Sequence, residues 1–124
     1  MRNRTLAESF RCAFAGLSHA LRTQRNLRLH LAAGVLVLGL AAWLRLPPAA
    51  VALLLVAVAG VVVAEVLNTA LETMIDLVSP DYHPLAGLTK NLAAAAVILA
   101  ALFAAGIGLL VLGPALWARL ASSG

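Results

Sequence analysis

The side chains of this sequence that could do chemistry are concentrated in one short segment. The chain has five acidic residues, and four of them lie between positions 65 and 81. Because an α-helix turns by about 100° per residue, an arc of roughly 80° holds the polar side chains Glu65, Asn68, Glu72 and Asp76. Thr69 lies beside this arc. We call these five residues the polar stripe, and its carboxylates could bind a cation or accept a proton.

The polar stripe continues a strongly apolar helix. Residues 49–64 contain no polar or charged side chain. A charged side chain in a spanning helix costs about 2.5–3.5 kcal/mol on insertion scales, so the carboxylates must face protein, a cation or water. The alternative is that they lie at the headgroup level and only solvate the end of the helix. That alternative suits Asp76 better than Glu65, because Glu65 lies well before the helix-breaking Pro80.

The composition indicates a membrane protein. Of the 124 residues, 63% are hydrophobic and 11% are charged, whereas soluble domains have about 45–50% apolar and about 25% charged residues. The pI near 10.7 does not indicate nucleic-acid binding. Six of the nine basic residues lie beside a predicted membrane span, where the positive-inside rule and anionic headgroups account for them. Cys12 is the only cysteine, which excludes an internal disulfide.

We predict an all-α membrane protein, one unit of an amphipathic helix and three transmembrane helices. The amphipathic helix covers about 5–23, where apolar residues recur at spacings of three and four: Leu6, Phe10, Phe14, Leu17 and Leu21. Its basic residues favour the membrane interface, and a soluble helix packed on the loops is the alternative. The predicted spans are 29–46, 49–71 and 92–116, separated by a turn at Pro47-Pro48 and a break at 79–84.

The distribution of basic residues predicts the orientation. The turn after the first span carries Arg45 alone, whereas the N-terminal segment carries six arginines: Arg2, Arg4, Arg11, Arg22, Arg25 and Arg28. By the positive-inside rule, the N-terminus and the connection at about 72–91 face the cytoplasm, and the C-terminus lies outside. No apolar segment interrupts the first 28 residues, so we expect no cleaved signal peptide.

Two strings link the polar stripe to a known family. The segment 65–72 reads EVLNTALE and the segment 76–86 reads DLVSPDYHPLA. At this spacing they resemble the signature of the prokaryotic integral-membrane diacylglycerol kinase and undecaprenol kinase family. The resemblance covers essentially residues 8–112. Further matches are Ser9-Phe10-Arg11, Ala13-Phe14, Gly16-Leu17, Arg25-Asn26, His30, and Lys90 before an Ala-rich span.

The resemblance implies a homotrimeric lipid kinase of the bacterial cytoplasmic membrane that uses ATP and Mg²⁺. Its active sites would lie at subunit boundaries near the cytoplasmic surface. Glu65 would be the general base for a lipid hydroxyl, Glu72 would bind Mg²⁺, and Asn68 would hold substrate or phosphate. The other implied contacts are to ATP through Asp81, Tyr82, His83 and Lys90, and to the lipid-access groove through Arg11 and Gly16.

Two positions depart from the family pattern, each by the loss of a charge. The family usually has Glu at the position of Gln24, as the second metal carboxylate, and Asp at the position of Asn91. An amide oxygen can still coordinate Mg²⁺, but its attraction is weaker without a charge. We therefore expect Gln24 at the metal and Asn91 at the nucleotide, with either weakened Mg²⁺ affinity or the altered nucleotide handling of a divergent family member.

Two other function classes compete with a lipid kinase. A kinase-derived protein that binds lipid or nucleotide without turnover is favoured by the two departures and opposed by the intact polar stripe. An ion or proton pathway is the other class, since carboxylates inside a membrane often mark one. The apolar residues 49–64 would end such a path halfway across. The sequence leaves the lipid open, because diacylglycerol and undecaprenol both present a hydroxyl at the headgroup plane.

Overall fold

Four α-helices make up the part of the chain that the structure describes. The computed structural model describes residues 5–124, and Arg2 and Arg4, which contribute to the predicted orientation, lie outside them. The all-helical prediction is confirmed, and the last three helices are each long and apolar enough to cross a membrane. The helices are α1 (Leu6–Thr23), α2 (Arg25–Trp43), α3 (Pro48–Val78) and α4 (Pro84–Ser122).

Helix α1 begins with a capping box. The Thr5 hydroxyl accepts a hydrogen bond from the backbone N–H of Glu8 (3.2 Å), and the Glu8 carboxylate accepts one from the N–H of Thr5 (2.9 Å). The rest of residues 5–124 leaves the apolar face of α1 uncovered. Its exposed fractions are 76% for Leu6, 57% for Phe10, 66% for Phe14 and 37% for Leu17.

A single extended residue, Gln24, separates α1 from α2. The Arg28 guanidinium reaches back from α2 and donates hydrogen bonds to the carbonyls of Leu21 (2.8 Å) and Arg22 (3.0 Å). The last carbonyls of a helix have no partner within it. This contact therefore satisfies the end of α1 and holds the two helices at a defined angle.

A tight turn joins α2 to α3, as the paired prolines predicted. Helix α2 ends three residues before Leu46, the predicted end of the first span. The N–H of Leu46 donates to the carbonyl of Ala41, and the N–H of Arg45 to that of Ala42 (3.1 Å each). This is a Schellman motif, with Arg45 in the left-handed region at φ 56°. Pro48 then starts α3, where its missing N–H is not needed.

The connection between α3 and α4 is short, from residue 79 to residue 83. The connecting segment expected at about 72–91 is thus itself mostly helical. Helix α3 has 31 residues and α4 has 39, which correspond to about 46 Å and about 58 Å at 1.5 Å per residue. Both lengths exceed a hydrocarbon core of about 30 Å, so each helix carries an extension that holds polar side chains on a rigid frame.

Helix α3 lies between α2 and α4 and packs along both of them. At one end Ala41, Leu54 and Leu112 are buried and bring the three helices together in one cluster. Next to this cluster, a cleft of about 540 Å³ opens between α2 and α4 along the first half of α3, from Leu54 to Val61. Its lining is almost wholly apolar and includes Ala33, Gly34, Val58, Ala104 and Gly108, with His30 near one end of α2.

The close approach of α2 to α3 at Gly34 gives a stability prediction. A methyl group added there would lie 2.6 Å from Val58 Cγ1, and a helical Val has little rotamer freedom to move away. We predict that Gly34→Ala unfolds in detergent with a free energy about 1–3 kcal/mol lower than Gly39→Ala.

Gly39 is the matched control, because it lies on the same helix and has nothing within 4 Å of an added methyl. The free energy of unfolding of both variants is measured in detergent, with circular dichroism as the signal. Equal stability of Gly34→Ala and Gly39→Ala would contradict the close packing of α2 on α3.

Candidate functional site

The polar stripe lies on the second half of α3 and becomes more exposed along the helix. Glu65 and Thr69 are buried, with 3% and 8% of their surfaces exposed. Asn68 and Glu72 are half-buried, and Asp76 is exposed. The Thr69 hydroxyl donates to the backbone carbonyl of Glu65 (3.0 Å), so it is satisfied within its own helix. The stripe therefore runs from a buried carboxylate to a solvated one.

Glu65 meets a histidine from the neighbouring helix. His30 Nδ1 of α2 lies 2.9 Å from Glu65 Oε1, and the two side chains are 33% and 4% exposed. The pair is at contact distance but does not have hydrogen-bond alignment, so neither atom has a hydrogen-bond partner within residues 5–124. From the sequence, His30 is only a position that matches the family. Its proximity to Glu65 has no signal in spacing, because the two residues lie on different helices.

Asn68 and Glu72 form a linked pair. Asn68 Nδ2 donates to Glu72 Oε1 (3.3 Å), a contact between residues four apart on one face of α3. The other polar atom of the amide, Asn68 Oδ1, is buried without a hydrogen-bond partner among the described residues. A buried acceptor that is left unpaired costs about 1–3 kcal/mol. This oxygen is therefore ready to accept a hydrogen bond or to bind a cation beside the Glu72 carboxylate.

An ion pair joins the polar ends of α3 and α4. Lys90 Nζ lies 2.5 Å from Asp76 Oδ1, and the side chains are 41% and 66% exposed. The short connection turns α4 back along α3, so residues fourteen positions apart meet. The sequence suggested ATP phosphates for Lys90 and helix-end solvation for Asp76. The structure adds Asp76 to the residues around Lys90.

Gln24 occupies the junction of α1 and α2, where it is the C-cap of one helix and the N-cap of the next. Its half-buried side chain makes no capping hydrogen bond, so the amide is available to a ligand. Arg11 and Gly16 lie exposed on α1. Among residues 5–124, no hydrogen bond or ion pair joins any of these three residues to the polar stripe.

Several of the residues predicted to contact the nucleotide lie in the connection before α4 and in its first turns. His83 is the N-cap of this helix, and its Nδ1 accepts a hydrogen bond from the N–H of Leu85 (3.1 Å). That bond gives His83 a structural role as a capping residue. Besides Lys90, the other predicted contacts in this region are exposed: Asp81, Tyr82 and Asn91.

The donor set around Glu72 fits Mg²⁺. In residues 5–124, no group of three or more His, Cys, Asp and Glu side chains is arranged to hold a metal ion alone. Mg²⁺ usually keeps several waters and binds through one or two carboxylates plus substrate phosphates. The Glu72 carboxylate, beside the unpartnered Asn68 Oδ1, matches that smaller requirement.

The comparison with known families identifies the group to which the chain belongs. A family model described as prokaryotic diacylglycerol kinase matches residues 11–112, which include the whole polar stripe. The chain belongs to the prokaryotic diacylglycerol kinase family. The family resemblance noted in the strings at 65–72 and 76–86 is thereby confirmed, and the family is one of lipid kinases.

Relatives in this family are named for two different lipids. A diacylglycerol kinase of Synechocystis sp. is 47% identical over 112 residues, which cover 90% of this chain and 64% of that protein. The chain thus spans just under two thirds of that relative. An undecaprenol kinase of Bacillus subtilis is 36% identical over 109 residues, covering 88% of this chain and 89% of the relative. A diacylglycerol kinase of Escherichia coli K12 is 32% identical over 92 residues, with 74% and 75% covered.

The Asp76–Lys90 pair gives a prediction about the free energy of unfolding. Exposed ion pairs contribute about 0–1 kcal/mol, so Asp76→Asn and Lys90→Gln should each change the free energy of unfolding by less than about 1 kcal/mol. Unfolding in detergent of both variants and of the double variant completes a double-mutant cycle. A coupling energy well above about 1 kcal/mol would show that the pair is structural and not part of a solvated site.

Proposed function

We propose that this chain is an ATP-dependent lipid kinase, which transfers the γ-phosphoryl group of ATP to the hydroxyl of a membrane alcohol, diacylglycerol or undecaprenol. The observation that carries the proposal is a buried carboxylate, Glu65, at the point where an apolar helix becomes polar. The names of the relatives, diacylglycerol kinase and undecaprenol kinase, support both lipids as candidate substrates.

Distances along α3 support a reaction at the membrane surface. From Pro48, the first residue of α3, Glu65 is about 26 Å along the helix and Glu72 about 36 Å, at 1.5 Å per residue. A helix that starts at one edge of a hydrocarbon core of about 30 Å would hold Glu65 near the opposite edge and Glu72 among the headgroups. The polar stripe would thus cross the boundary between a lipid hydroxyl and ATP in water.

The stripe offers a group for each part of phosphoryl transfer, which depends on positioning and charge stabilisation more than on covalent catalysis. Glu65 would accept the proton of the lipid hydroxyl as the lipid oxygen attacks the γ-phosphorus. Asn68 would orient a substrate oxygen. Glu72 and Gln24 would hold Mg²⁺, which when bound neutralises charge on the phosphates. The remaining ATP contacts would come from Asp81, Tyr82, His83, Lys90 and Asn91.

A homotrimer would complete this site. Asn68 Oδ1 lacks a partner in residues 5–124, and α2, α3 and α4 together leave many large apolar side chains exposed, among them Leu102 and Phe103. Neighbouring chains would cover such surfaces and bring polar groups to the stripe. Gln24, Arg11 and Gly16 would then approach the stripe of an adjacent chain.

We place the active sites on the cytoplasmic side of a bacterial inner membrane. The N-terminal arginines support a cytoplasmic N-terminus through the positive-inside rule. The uncovered apolar face of α1 supports a position of this helix in the membrane interface, where its basic residues would meet lipid headgroups.

Glu65→Gln tests the proposed base, because Gln keeps the shape of the side chain and cannot accept the proton. We expect kcat to fall at least about 100-fold, with ATP affinity nearly unchanged, since the nucleotide contacts lie elsewhere. The measurement is transfer of labelled phosphate to diacylglycerol and to undecaprenol in mixed micelles, with ATP binding measured separately.

Glu8→Gln is the control, because Gln preserves the capping box of α1 and Glu8 is the acidic residue outside the 65–81 segment. A parallel loss of ATP binding and turnover in Glu65→Gln would show that Glu65 is structural. Failure of the unmodified protein to phosphorylate either lipid would leave a binding protein as the function.

Gln24→Glu tests the proposed metal site by adding the charge that the family usually has at this position. Two unit charges about 4 Å apart in water interact by about 1 kcal/mol, equivalent to roughly 5-fold in affinity. We therefore expect the Mg²⁺ concentration for half-maximal activity to fall by about that factor, measured by Mg²⁺ titration at fixed ATP. An unchanged Mg²⁺ requirement would show that position 24 lies outside the metal site.

A further inference from the structure

One contact between α2 and α3, at the buried end of the polar stripe, is not used in the reaction steps proposed for Glu65, Asn68 and Glu72. His30 Nδ1 and Glu65 Oε1 are 2.9 Å apart, which is within the range of an N–H···O hydrogen bond. The Glu65 side chain is 4% exposed. A carboxylate removed from water to this extent needs donors, since an unpaired buried charge is strongly unfavourable.

The neighbours of Glu65 on its own helix do not supply that donor. The Thr69 hydroxyl donates to the backbone carbonyl of Glu65, not to its carboxylate. The Asn68 amide donates to the Glu72 carboxylate, not to that of Glu65. Among residues 5–124, His30 is the basic side chain within 4.0 Å of the Glu65 carboxylate. A small rotation of its ring would direct Nδ1–H at Oε1, and catalytic hydrogen bonds often align only when substrate is bound.

Helix α2 is closely packed on both sides of His30. Leu27, one turn before it, is completely buried. Gly34, one turn after it, is also buried and leaves no room for a methyl beside Val58. His30 itself borders the apolar cleft between α2 and α4. The imidazole is therefore mounted on a rigid element, which is what accurate placement of a reacting group requires.

We propose that His30 is a positioning residue for phosphoryl transfer, whose Nδ1–H binds Glu65 Oε1 and leaves Oε2 to face the lipid hydroxyl. This role rests on the proposed function of Glu65 as the base. In the step, the lipid O–H bond breaks and its proton passes to Oε2. The lipid oxygen bonds to the γ-phosphorus as the bond from that phosphorus to the bridging oxygen breaks, and ADP leaves with the electron pair. The His30 proton stays on its ring.

Two variants of His30 separate positioning from packing. His30→Leu keeps the approximate size of the side chain but removes the hydrogen-bond donor, so we expect kcat to fall roughly 10- to 100-fold, the cost of misplacing a reacting group. The KM values for ATP and lipid should stay within about 3-fold, because neither substrate is bound through His30 in the ground state. His30→Asn places an amide N–H near the position of Nδ1 and should recover most of the lost kcat.

His19→Leu is the matched control, because His19 lies exposed on α1, away from Glu65. It should leave kcat unchanged. If His30→Leu retains full kcat, or if kcat and both KM values change together without recovery in His30→Asn, the positioning role is overturned.

A spectroscopic measurement on the folded protein does not depend on how the His30 variants fold. The chain has three histidines, His19, His30 and His83, whose imidazole nitrogens can be observed by ¹⁵N NMR. We expect Glu65→Gln to shift the Nδ1 resonance of His30 and to leave the other two in place. A His30 resonance unchanged both in the free protein and with lipid and ADP bound would show that the hydrogen bond does not exist.

The two proposals can fail separately. Loss of turnover in Glu65→Gln with full turnover in His30→Leu would refute the positioning role alone. Full turnover in Glu65→Gln would refute Glu65 as the base, and with it the role of His30.

Discussion

A carboxylate on an apolar membrane helix cannot face lipid, and this constraint underlies the arrangement of the whole chain. Glu65 is 3% exposed and follows sixteen residues, 49–64, without a polar side chain. Its charge must be met by protein, a cation or water. The packing of α2 on α3 brings His30 to the carboxylate, and the buried flanks of His30 hold that contact in place. The close approach at Gly34 therefore serves the site as well as the fold.

The length and continuity of α3 connect this buried end to the aqueous side. Because one helix carries Glu65, Asn68, Glu72 and Asp76, their spacing does not depend on a flexible loop. The carboxylates become more exposed from Glu65 through Glu72 to Asp76, so the proposed base for a lipid hydroxyl and the groups proposed to meet a charged nucleotide share one rigid element. The short connection and the Asp76–Lys90 contact add the start of α4 to the solvated end.

The family includes relatives named for diacylglycerol and relatives named for undecaprenol. The apolar cleft of this chain is consistent with both names. The cleft between α2 and α4 is lined mainly by small and branched apolar side chains, which offer almost no polar group that would distinguish one hydrocarbon chain from another. The proposed phosphoryl transfer needs only a hydroxyl at the membrane surface. The changes that distinguish this chain from the family pattern, Gln24 and Asn91, affect charge near the proposed metal and nucleotide and do not alter the apolar walls.

The sequence alone determined the features that depend on neighbouring residues. Hydropathy predicted the apolar helices, paired prolines predicted the turn before α3, helical periodicity predicted the polar stripe, and two strings identified the family. Only the tertiary structure paired His30 with Glu65 and Asp76 with Lys90, and it showed helix where a connecting segment was expected. The reason is physical: periodicity relates residues within one helix, whereas the register between helices depends on how small side chains such as Gly34 let backbones approach.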